Sequence, residues 1–368
     1  MLMNSDKKLL FIRYKKSSDI LEGGEQCSQR NFNAYVRLMG EANVDTYYIH
    51  DETRRRTLWQ YAQGVLLFPL HYFFGLTPRR VREIVRLAQD YDYIHIDRSL
   101  FGVIARQLRK AGYKGRTVCF FHNVEALYFD AKLPKNNPAR SIVIRCADKN
   151  DGWCCKYADK IIALNERDAQ ILEKSYSRRP DVIIPIAMRD TYKRQTYPGE
   201  KTSSRPLCLI LGSYFPPNNE GIEWFAREVL PHVDIQLQVV GKGMSRLREN
   251  YSIPDEVEVV GDAPSLLPYF EQADVMVLPI FSGGGMKVKT CESLMYGKNI
   301  IATDEALEGY DIDATRMGAR CNTRDEFIHA LQSFIESPRP RFNTYCRTIF
   351  LSQYSEDAVL DKFKSVMG

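Results

Sequence analysis

The sequence predicts an α/β protein made of two doubly wound, Rossmann-like domains. Three observations carry this prediction: a length of 368 residues, an alternation of short apolar runs with helical patterns from end to end, and one polar interruption at 189–206. A chain of this length exceeds the usual size of a single hydrophobic core. Strands that alternate with helices favour parallel sheets, which bind ligands beyond the carboxyl ends of their strands. We therefore expect two sheets whose carboxyl edges face each other across a cleft.

The first half of the chain contains six apolar segments that fit buried strands, separated by helical patterns. The strands are expected at 9–14, 44–50, 91–96, 116–121, 160–164 and 182–186, and the helices at 25–41, 78–90, 99–111, 138–157 and 166–175. The stretch 189–206 then has two prolines and no apolar periodicity, which indicates a linker.

After this linker the same pattern begins again. Strands are expected at 206–212, 235–241, 257–261, 274–280 and 299–303, and helices at 218–230, 264–273, 287–296 and 324–336. We expect a first domain at 1–187, a second domain at 188–345, and a final helix at 346–368 that packs back on the first domain.

Composition is that of a globular protein and excludes several classes of function. Hydrophobic residues make up 44% and charged residues 26% of the chain. A net charge of +5 is too small to favour a nucleic-acid binder. The nine cysteines form no C-x2-C pair, so neither a zinc site nor a disulfide framework is indicated. No signal peptide is visible in the polar segment 1–8, and we expect a cytoplasmic protein.

The longest apolar stretch, 61–76, has two possible roles. It is too short and too interrupted to span a membrane. Arginines flank it at 54–56 and 79–80, so its aromatic side chains could rest on an anionic membrane surface. The alternative is ordinary burial in the domain core, with the arginines solvated.

The segment 278–303 is the most informative part of the chain. A buried strand ends at Pro279, and the glycines 283–285 precede a helix that carries Lys287, Lys289 and Glu292. Glycine-rich backbone at a helix N-terminus suits a phosphate group. Two lysines in a first helical turn are unfavourable unless an anion binds there. A glycine-rich turn followed by an ordinary Glu–Lys pair is the competing interpretation.

With these residues in place, the chain resembles retaining glycosyltransferases of family 4, whose fold is GT-B. The resemblance rests on an ordered series of motifs and covers most of the chain, more weakly in its first half. The motifs are LGSYFPPNNEGIEWFAREVLP at 211–231, VVGKG at 239–243, VVGDAPSLLPYFEQADVMVLP at 259–279, the block 283–303 and ALEGY at 306–310.

This resemblance implies that 1–187 is the acceptor-side domain and that 188–345 is the nucleotide-sugar-binding domain. Glu292 would hold the ribose hydroxyls, and the backbone of Gly285, Met286 and Lys287 would contact the diphosphate or the transferred sugar. The segment 261–267 would face the base, and Gly23 and Gly24 would let the first domain approach the diphosphate. The full set of donor-binding candidates is Gly23, Gly24, Gly212, Asn219, Gly241, Gly261, Gly284, Gly285, Met286 and Thr303.

The catalytic candidates are His122, Lys287, Lys289 and Glu292. His122 follows the fourth strand of the first domain, and the resemblance implies a contact with the donor sugar or a role near the reacting carbon. A structural histidine is the equally weighted alternative. Glu125, three residues later, is a secondary candidate for the acceptor.

The chain departs from the family pattern at one of its two glutamates. Gly284 stands eight positions before Glu292, where many members carry the first glutamate, and Ser213 and Asn219 stand where many carry an arginine and a lysine. Lys287 and Lys289 are expected to supply this missing charge, as in one branch of the family.

The resemblance implies transfer with retention and without a metal or other cofactor, from a nucleotide-diphosphate sugar to a glycan or lipid-linked glycan in surface polysaccharide assembly. Two alternatives stay open. A nucleotide-sugar epimerase can share the GT-B fold, although it would need more acid and base groups than His122 and Glu125. The other is a sugar-nucleotide-binding partner that has lost activity.

Overall fold

The computed structural model describes residues 6–15, 23–50, 66–73, 75–192 and 205–368. The chain divides into two compact units, one formed by residues 1–185 with 359–368 and the other by residues 186–358. Each unit contains a six-stranded, all-parallel sheet flanked by helices, as the alternating pattern predicts. The α/β class with two doubly wound domains is therefore confirmed.

The sheet of the first unit has the strand order β2-β1-β3-β4-β5-β6. Its strands are β1 Leu9–Lys15, β2 Val44–His50, β3 Tyr93–Ile96, β4 Arg116–Phe121, β5 Lys160–Ala163 and β6 Val182–Ile183. Its helices are α1 Gly23–Met39, α2 Pro78–Leu87, α3 Gly102–Lys110, α4 Glu125–Lys132, α5 Arg140–Tyr157 and α6 Glu166–Tyr176. Only α4 is absent from the sequence prediction, because its eight residues have no clear apolar stripe.

The core of the first unit lies between the sheet and its helices. Two strands contribute the fully buried Ile12, Ile94 and Ile96, and α3 contributes Ile104 and Leu108. At Gly102 the backbone of α3 approaches α5 so closely that an added Cβ would lie 2.0 Å from the Asn150 carbonyl oxygen. This glycine is required for the two helices to pack.

The apolar stretch 61–76 is described only in part, because residues 51–65 and 74 lie outside the described residues. Phe68 and Phe73 are buried in the core of the first unit, where their rings meet edge to face with centroids 5.1 Å apart. Leu66 and Leu70 are exposed. In the described part, therefore, core burial accounts for the two phenylalanines and leaves the two leucines at the surface.

The sheet of the second unit has the order β9-β8-β7-β10-β11-β12, which is the strand order 3-2-1-4-5-6 of the Rossmann fold. Its strands are β7 Leu207–Leu211, β8 Gln236–Gly241, β9 Glu258–Gly261, β10 Val275–Leu278, β11 Asn299–Ala302 and β12 Gly318–Arg320. Its helices are α7 Pro216–Glu228, α8 Leu247–Asn250, α9 Leu267–Gln272, α10 Val288–Met295, α11 Ala314–Met317, α12 Arg324–Glu336 and α13 Thr344–Ile349. The short elements β12, α8 and α11 are absent from the sequence prediction.

The end of the chain consists of a π-helical turn, Phe350–Tyr354, and the helix α14, Glu356–Met367. Residues 359–368 belong to the first unit. The ring of Phe363 meets that of Tyr35 with centroids 5.5 Å apart, and the Tyr93 hydroxyl donates to the Met367 carbonyl oxygen over 3.0 Å. The C-terminal residues are thus part of the core of the first unit.

Candidate functional site

The second unit has its topological switch point between β7 and β10, where neighbouring connections leave the sheet on opposite sides. Gly212 directly follows β7, and the glycines 283–285 lie between β10 and α10. A Cβ added to Gly212 would lie 2.8 Å from the Nζ of Lys289 on α10. The candidate lysine therefore lies directly against the backbone at the end of the first strand of this unit.

Lys289 is held in place by Asn218. Its Nζ donates to Asn218 Oδ1 over 2.7 Å, and Asn218 Nδ2 donates to the Ser213 carbonyl oxygen over 2.8 Å. Burial lowers the pKa of Lys289 to about 8, with Lys287 lowering it further and Glu292 opposing the shift. A cation that has lost much of its hydration is thus presented at the switch point, and no carboxylate of the described residues lies in ion-pair contact with it.

Glu292 lies one turn further along α10. Burial raises the pKa of its carboxyl to about 7, although the positive charge of Lys289 opposes this. Among the described residues, its side chain makes no hydrogen bond and no ion pair shorter than 4 Å. Its two oxygens can therefore accept hydrogen bonds from a ligand.

Lys287 differs from Lys289 in its surroundings. Its Nζ lies 2.6 Å from Glu305 Oε1 and donates to the Gly285 carbonyl oxygen over 2.9 Å. Its own carbonyl oxygen accepts from the Tyr310 hydroxyl over 2.7 Å. The helix α10 begins only at Val288, so Lys287 is its N-cap residue. The charge of Lys287 is largely matched within the protein, and its contacts fix the path of the glycine segment.

Several glycines at this sheet edge adopt conformations or approaches that other residues would not permit. Gly283 and Gly285 have φ angles of 137° and 63°, and Gly284 between them is exposed. A Cβ on Gly241 would lie 1.8 Å from the Gly212 carbonyl oxygen, and one on Gly261 would lie 2.7 Å from the Ser245 nitrogen. The three candidate glycines Gly241, Gly261 and Gly285 thus have a structural requirement at their positions.

The remaining candidates of this unit are buried. Asn219 accepts from the Phe215 backbone N–H over 3.3 Å, whereas its Nδ2 is buried without a hydrogen-bond partner. Thr303 donates to the Ile280 carbonyl oxygen and accepts from the Ala306 backbone over 3.2 Å. Met286 is buried, and its sulfur accepts from the Ile186 backbone N–H over 3.3 Å. Thr303 and Met286 therefore have contacts that shape the loops around the switch point.

The first unit has its switch point between β1 and β3. Asp97 directly follows β3 and is 1% exposed. Its Oδ1 lies 3.6 Å from the Nε2 atoms of both His95 and His122. Asn31 Nδ2 donates to the same oxygen over 3.1 Å, and the Ser28 hydroxyl donates to Oδ2. The carboxylate of Asp97 thus contacts polar groups from α1, from β3 and from the segment after β4.

The neighbouring groups together shift the pKa values of Asp97 and His122 more than burial does. Burial would raise the pKa of Asp97, but the interaction with His122 at 3.6 Å, followed by that with His95 at the same distance, holds it well below its usual range. Burial likewise lowers the pKa of His122, but Asp97 and then Cys27 raise it to about 9. His122 is therefore an imidazolium at neutral pH, paired with the ionised Asp97.

The beginning of α1 lies beside these charges. The helix starts at Gly23, and a Cβ added to Gly24 would lie 2.9 Å from Nη2 of Arg98. Arg30, two turns into the helix, donates to the Cys27 sulfur over 3.1 Å and to the Pro185 carbonyl oxygen over 2.8 Å. Gly24 is thus the position at which the helix accommodates the guanidinium of Arg98.

Glu125 is buried rather than displayed at the surface. Burial raises the pKa of its carboxyl, and the charge of Arg98 opposes this shift. Its Oε1 has no hydrogen-bond partner. On the same helix, the Ala126 backbone N–H donates to Asp151 Oδ2 over 3.1 Å. The charge of His122 also acts on the Glu125 carboxyl, which places Glu125 near the Asp97–His122 cluster.

The comparisons with known proteins give one family match. Residues 205–337 match the family model described as glycosyl transferases group 1. This region holds the switch point between β7 and β10, with Lys289 and Glu292. The protein is a glycosyltransferase. No curated protein matches its sequence.

The fold of this glycosyltransferase is also that of several solved structures, over nearly the whole of each chain. Sucrose-phosphate synthase from Thermosynechococcus elongatus superposes with a TM-score of 0.72 at 15% identity, covering 98% of both chains. HepE from Anabaena in complex with UDP gives 0.68 at 13% identity, covering 98% of this chain and 99% of the other. A glycosyltransferase from Rickettsia africae gives 0.67 at 13% identity, covering 99% of both. At these identities the likeness establishes the GT-B fold.

Sequence analysis missed Asp97, Arg98 and the partners of Asp97 on α1. The signal was available for Asp97, because it follows a buried strand in the same way as His122 does. Ser28 and Asn31 carried no such signal, since only the packing of α1 beside β3 brings them to the carboxylate.

Two further structural findings concern metals and membranes. No group of three or more potential metal-ligating side chains occurs in the part of the chain that the structure describes. Within that same part, no helix has both the length and the apolar character needed to cross a bilayer.

Proposed function

We propose that this glycosyltransferase moves a sugar from a nucleoside-diphosphate sugar to a glycan or lipid-linked glycan. The observation that carries the donor assignment is the meeting of Gly212, Lys289 and Glu292 at the switch point of a Rossmann-type sheet. A phosphate group is favoured there by the ammonium of Lys289, with which no carboxylate of the described residues forms an ion pair. Glycine backbone N–H groups favour it as well. The free carboxylate of Glu292 suits the hydroxyls of a ribose.

The chemical step requires that the diphosphate leave with its negative charge stabilised. We assign this task to Lys289 and to the backbone N–H groups at the start of α10, because preorganised positive charge is most effective where negative charge develops. We assign His122 of the first unit, whose charge is paired with that of Asp97, to contact with the hydroxyls of the transferred sugar. Glu125 is a secondary candidate for contact with the acceptor.

We further propose retention at the anomeric carbon and a reaction without a metal cofactor. A route in which the leaving phosphate assists the incoming hydroxyl needs no carboxylate nucleophile, and Gly284 supplies none at its position. Proton NMR of the product's anomeric signal decides between retention and inversion.

Nucleoside-diphosphate release from a panel of nucleotide sugars tests the assignment. UDP-glucose is the first donor to test, because the GT-B structure of HepE was determined with that ligand. We expect slow hydrolysis without acceptor and faster release with one, and loss of both in Lys289→Met. An isomerised nucleotide sugar would instead favour an epimerase, and binding without turnover would favour an inactive partner.

We also propose that the acceptor belongs to surface polysaccharide assembly and that the protein works at the inner face of the membrane. The support is the sequence of the segment from Arg54 to Arg80, of which residues 51–65 and 74 lie outside the described residues. Sedimentation with anionic liposomes should be lost at high salt and in an Arg54/Arg55/Arg56→Ser variant. Failure to sediment at low salt would remove the membrane role and leave a water-soluble acceptor.

A further inference from the structure

A groove of about 310 Å³ lies beside the donor-binding segment of the second unit. It is lined by Pro217, Glu220, Gly221, Trp224, Phe281, Ser282 and Asn322. None of the proposed donor-binding side chains is part of this lining. Ser282 directly precedes the glycine run, so the groove shares the loop after β10 with the donor segment. Its volume is at the lower end of the range for small-ligand sites.

The helix α7 supplies one wall of this groove. Positions 217, 220, 221 and 224 are spaced three and four apart, which places them on one face of the helix. The residues that α7 buries in the core, Ile222, Phe225 and Ala226, lie on another face. A Cβ on Gly221 would lie 1.9 Å from the Pro279 carbonyl oxygen, so the glycine lets the helix reach the loop that forms the opposite wall.

Two aromatic rings form the apolar part of the groove. The rings of Trp224 and Phe281 meet edge to face with centroids 4.6 Å apart. The other contact of Trp224 is with the buried Phe327, at 5.7 Å, which fixes the indole in place. Phe281 is 44% exposed, although its ring is held against Trp224. A fixed aromatic surface is therefore presented to solvent.

Polar groups border these rings. Glu220 is exposed and, among the described residues, forms no hydrogen bond or ion pair. Asn322 is exposed but oriented, because its Oδ1 accepts from the Asp304 backbone over 2.9 Å and its Nδ2 donates to Asp304 Oδ2 over 2.9 Å. Each amide atom keeps a second hydrogen-bonding position. The Ser282 hydroxyl completes a border that can both donate and accept.

We propose that this groove binds a neutral sugar unit of the acceptor glycan, outside the donor site. A pyranose ring has a face of C–H bonds that packs on an aromatic ring and a rim of hydroxyls that bond to carboxylate and amide groups. The unpaired carboxylate of Glu220 disfavours an anionic occupant such as a phosphate or an acidic sugar. The inference rests on the proposed transferase function, since it is this function that makes a glycan the expected partner.

An array of neutral and acidic oligosaccharides, probed with the full-length protein, tests the proposal. We expect binding to neutral members, followed by calorimetry with the strongest binder in solution. Phe281→Ala should weaken that binding about fivefold or more, since an aromatic contact of this kind contributes on that scale. Glu220→Gln should weaken it less and should reduce the discrimination against acidic sugars.

The matched control is Phe215→Ala. Phe215 is 41% exposed, close to the value for Phe281, and lies at the start of the same helix without lining the groove. Its substitution should leave glycan binding unchanged. Thermal melting should show that all variants are folded.

The proposal is overturned if no neutral oligosaccharide binds, if acidic members bind better, or if Phe281→Ala and Phe215→Ala behave alike. Self-association that Phe281→Ala abolishes would also overturn it, because the groove would then be an interface between copies. Nucleoside-diphosphate binding, measured in parallel, should be the same in wild type and Phe281→Ala. Glycan binding in a protein that binds no nucleotide would contradict the proposed transferase function and leave the groove assignment standing.

Discussion

The two sheets differ in how the polar groups at their switch points are satisfied. At the edge of the first sheet, Asp97 is buried and is hydrogen-bonded or ion-paired with groups from three elements of its own unit. At the edge of the second sheet, Glu292 has no hydrogen bond or ion pair with another described residue, and the glycines 283 and 284 are exposed. Buried charges are stable only when paired, so the first edge is a preorganised cluster. The second edge leaves its groups available for a ligand.

This comparison predicts that the two edges respond differently to substitution. Removing a group from the paired cluster should damage both stability and activity. Removing a group from the open edge should weaken ligand binding and can increase stability, because function there is maintained at the expense of stability.

The largest effect is expected for Asp97→Asn. Removing one partner of a buried ion pair typically costs about 3–5 kcal/mol of unfolding free energy. The pKa of His122 should fall from about 9, since Asp97 is the group that raises it most and burial lowers it. Displacement of this imidazole should reduce turnover about 100-fold. Chemical denaturation, turnover and histidine NMR titration measure the three effects.

Asp45→Asn is the control for this substitution, because Asp45 is an exposed carboxylate bonded by the Tyr91 hydroxyl over 2.8 Å. It should change unfolding free energy and turnover little. If Asp97→Asn leaves the titration of His122 unchanged, the pairing of these two groups does not set the charge of the histidine.

A smaller effect, confined to binding, is expected for the two lysines near the start of α10. Lys289→Met should weaken nucleoside-diphosphate binding about tenfold, since a hydrogen bond to a charged group contributes about 1.5–3 kcal/mol. Lys287→Met should have a smaller effect because Glu305 already neutralises Lys287. Calorimetry on the two variants measures the difference, and equal losses would contradict the distinction.

These lysines also show what the sequence could and could not predict. The strands, most helices and the glycine run depend on patterns within a few residues, and the predicted bounds agree with the structure to within a few positions. The N-cap at Asn165, which accepts from the Asp168 backbone over 2.7 Å, is local in the same sense. The Glu305 partner of Lys287 lies 18 positions away, in a loop that only the fold brings near.

The Asp97 cluster is the stronger example of the same limit. Its members lie up to 69 positions from Asp97 in the chain, and polarity alone does not distinguish Ser28 or Asn31 from solvent-exposed residues of α1. Strand-end position was sufficient to nominate His122 from the sequence. Its raised pKa follows from tertiary pairing, which no local pattern encodes.

The open edge is expected to show a pH-dependent gain of stability in Glu292→Gln. The carboxyl of Glu292 has a folded-state pKa of about 7, above its usual 4.5, so the folded protein binds a proton more tightly than the unfolded chain does. Stability from this group is present at low pH and is lost as pH rises through 7. Glutamine resembles the protonated acid, so at pH 5 the variant should exceed wild type by only about 1 kcal/mol or less.

At pH 8 the Glu292→Gln variant should exceed wild type by about 1–3 kcal/mol in unfolding free energy. Its turnover should fall, because the carboxylate proposed to accept hydrogen bonds from the ribose hydroxyls is replaced by an amide. Urea unfolding at pH 5 and pH 8 measures how the difference in unfolding free energy between the variant and wild type changes with pH. A variant that is less stable than wild type at both pH values would show that the Glu292 side chain stabilises the fold and is not reserved for a ligand.

The smallest expected effect is the uptake of a fraction of a proton when a nucleoside diphosphate binds. It distinguishes the two sheet edges most directly. The pKa of Lys289 is about 8, below the usual 10.5 of a lysine, so at pH 8 about half of the molecules carry a neutral amine. A bound diphosphate would favour the ammonium and raise this pKa. Binding at pH 8 should therefore take up about half a proton at this position, and binding at pH 6 almost none.

Calorimetry in two buffers of different ionisation enthalpy measures this uptake. Lys289→Met should abolish it, whereas Asp97→Asn should leave it in place, because Asp97 and its partners belong to the other unit and Lys289 titrates beside Lys287 and Glu292. Some proton transfer to Glu292 can add to the total at pH 7, so the comparison is made at pH 8, where that carboxyl is mostly ionised in the free protein. If nucleotide binds with no proton uptake at pH 8, the diphosphate does not lie against Lys289, and the glycine segment must hold it through the backbone alone.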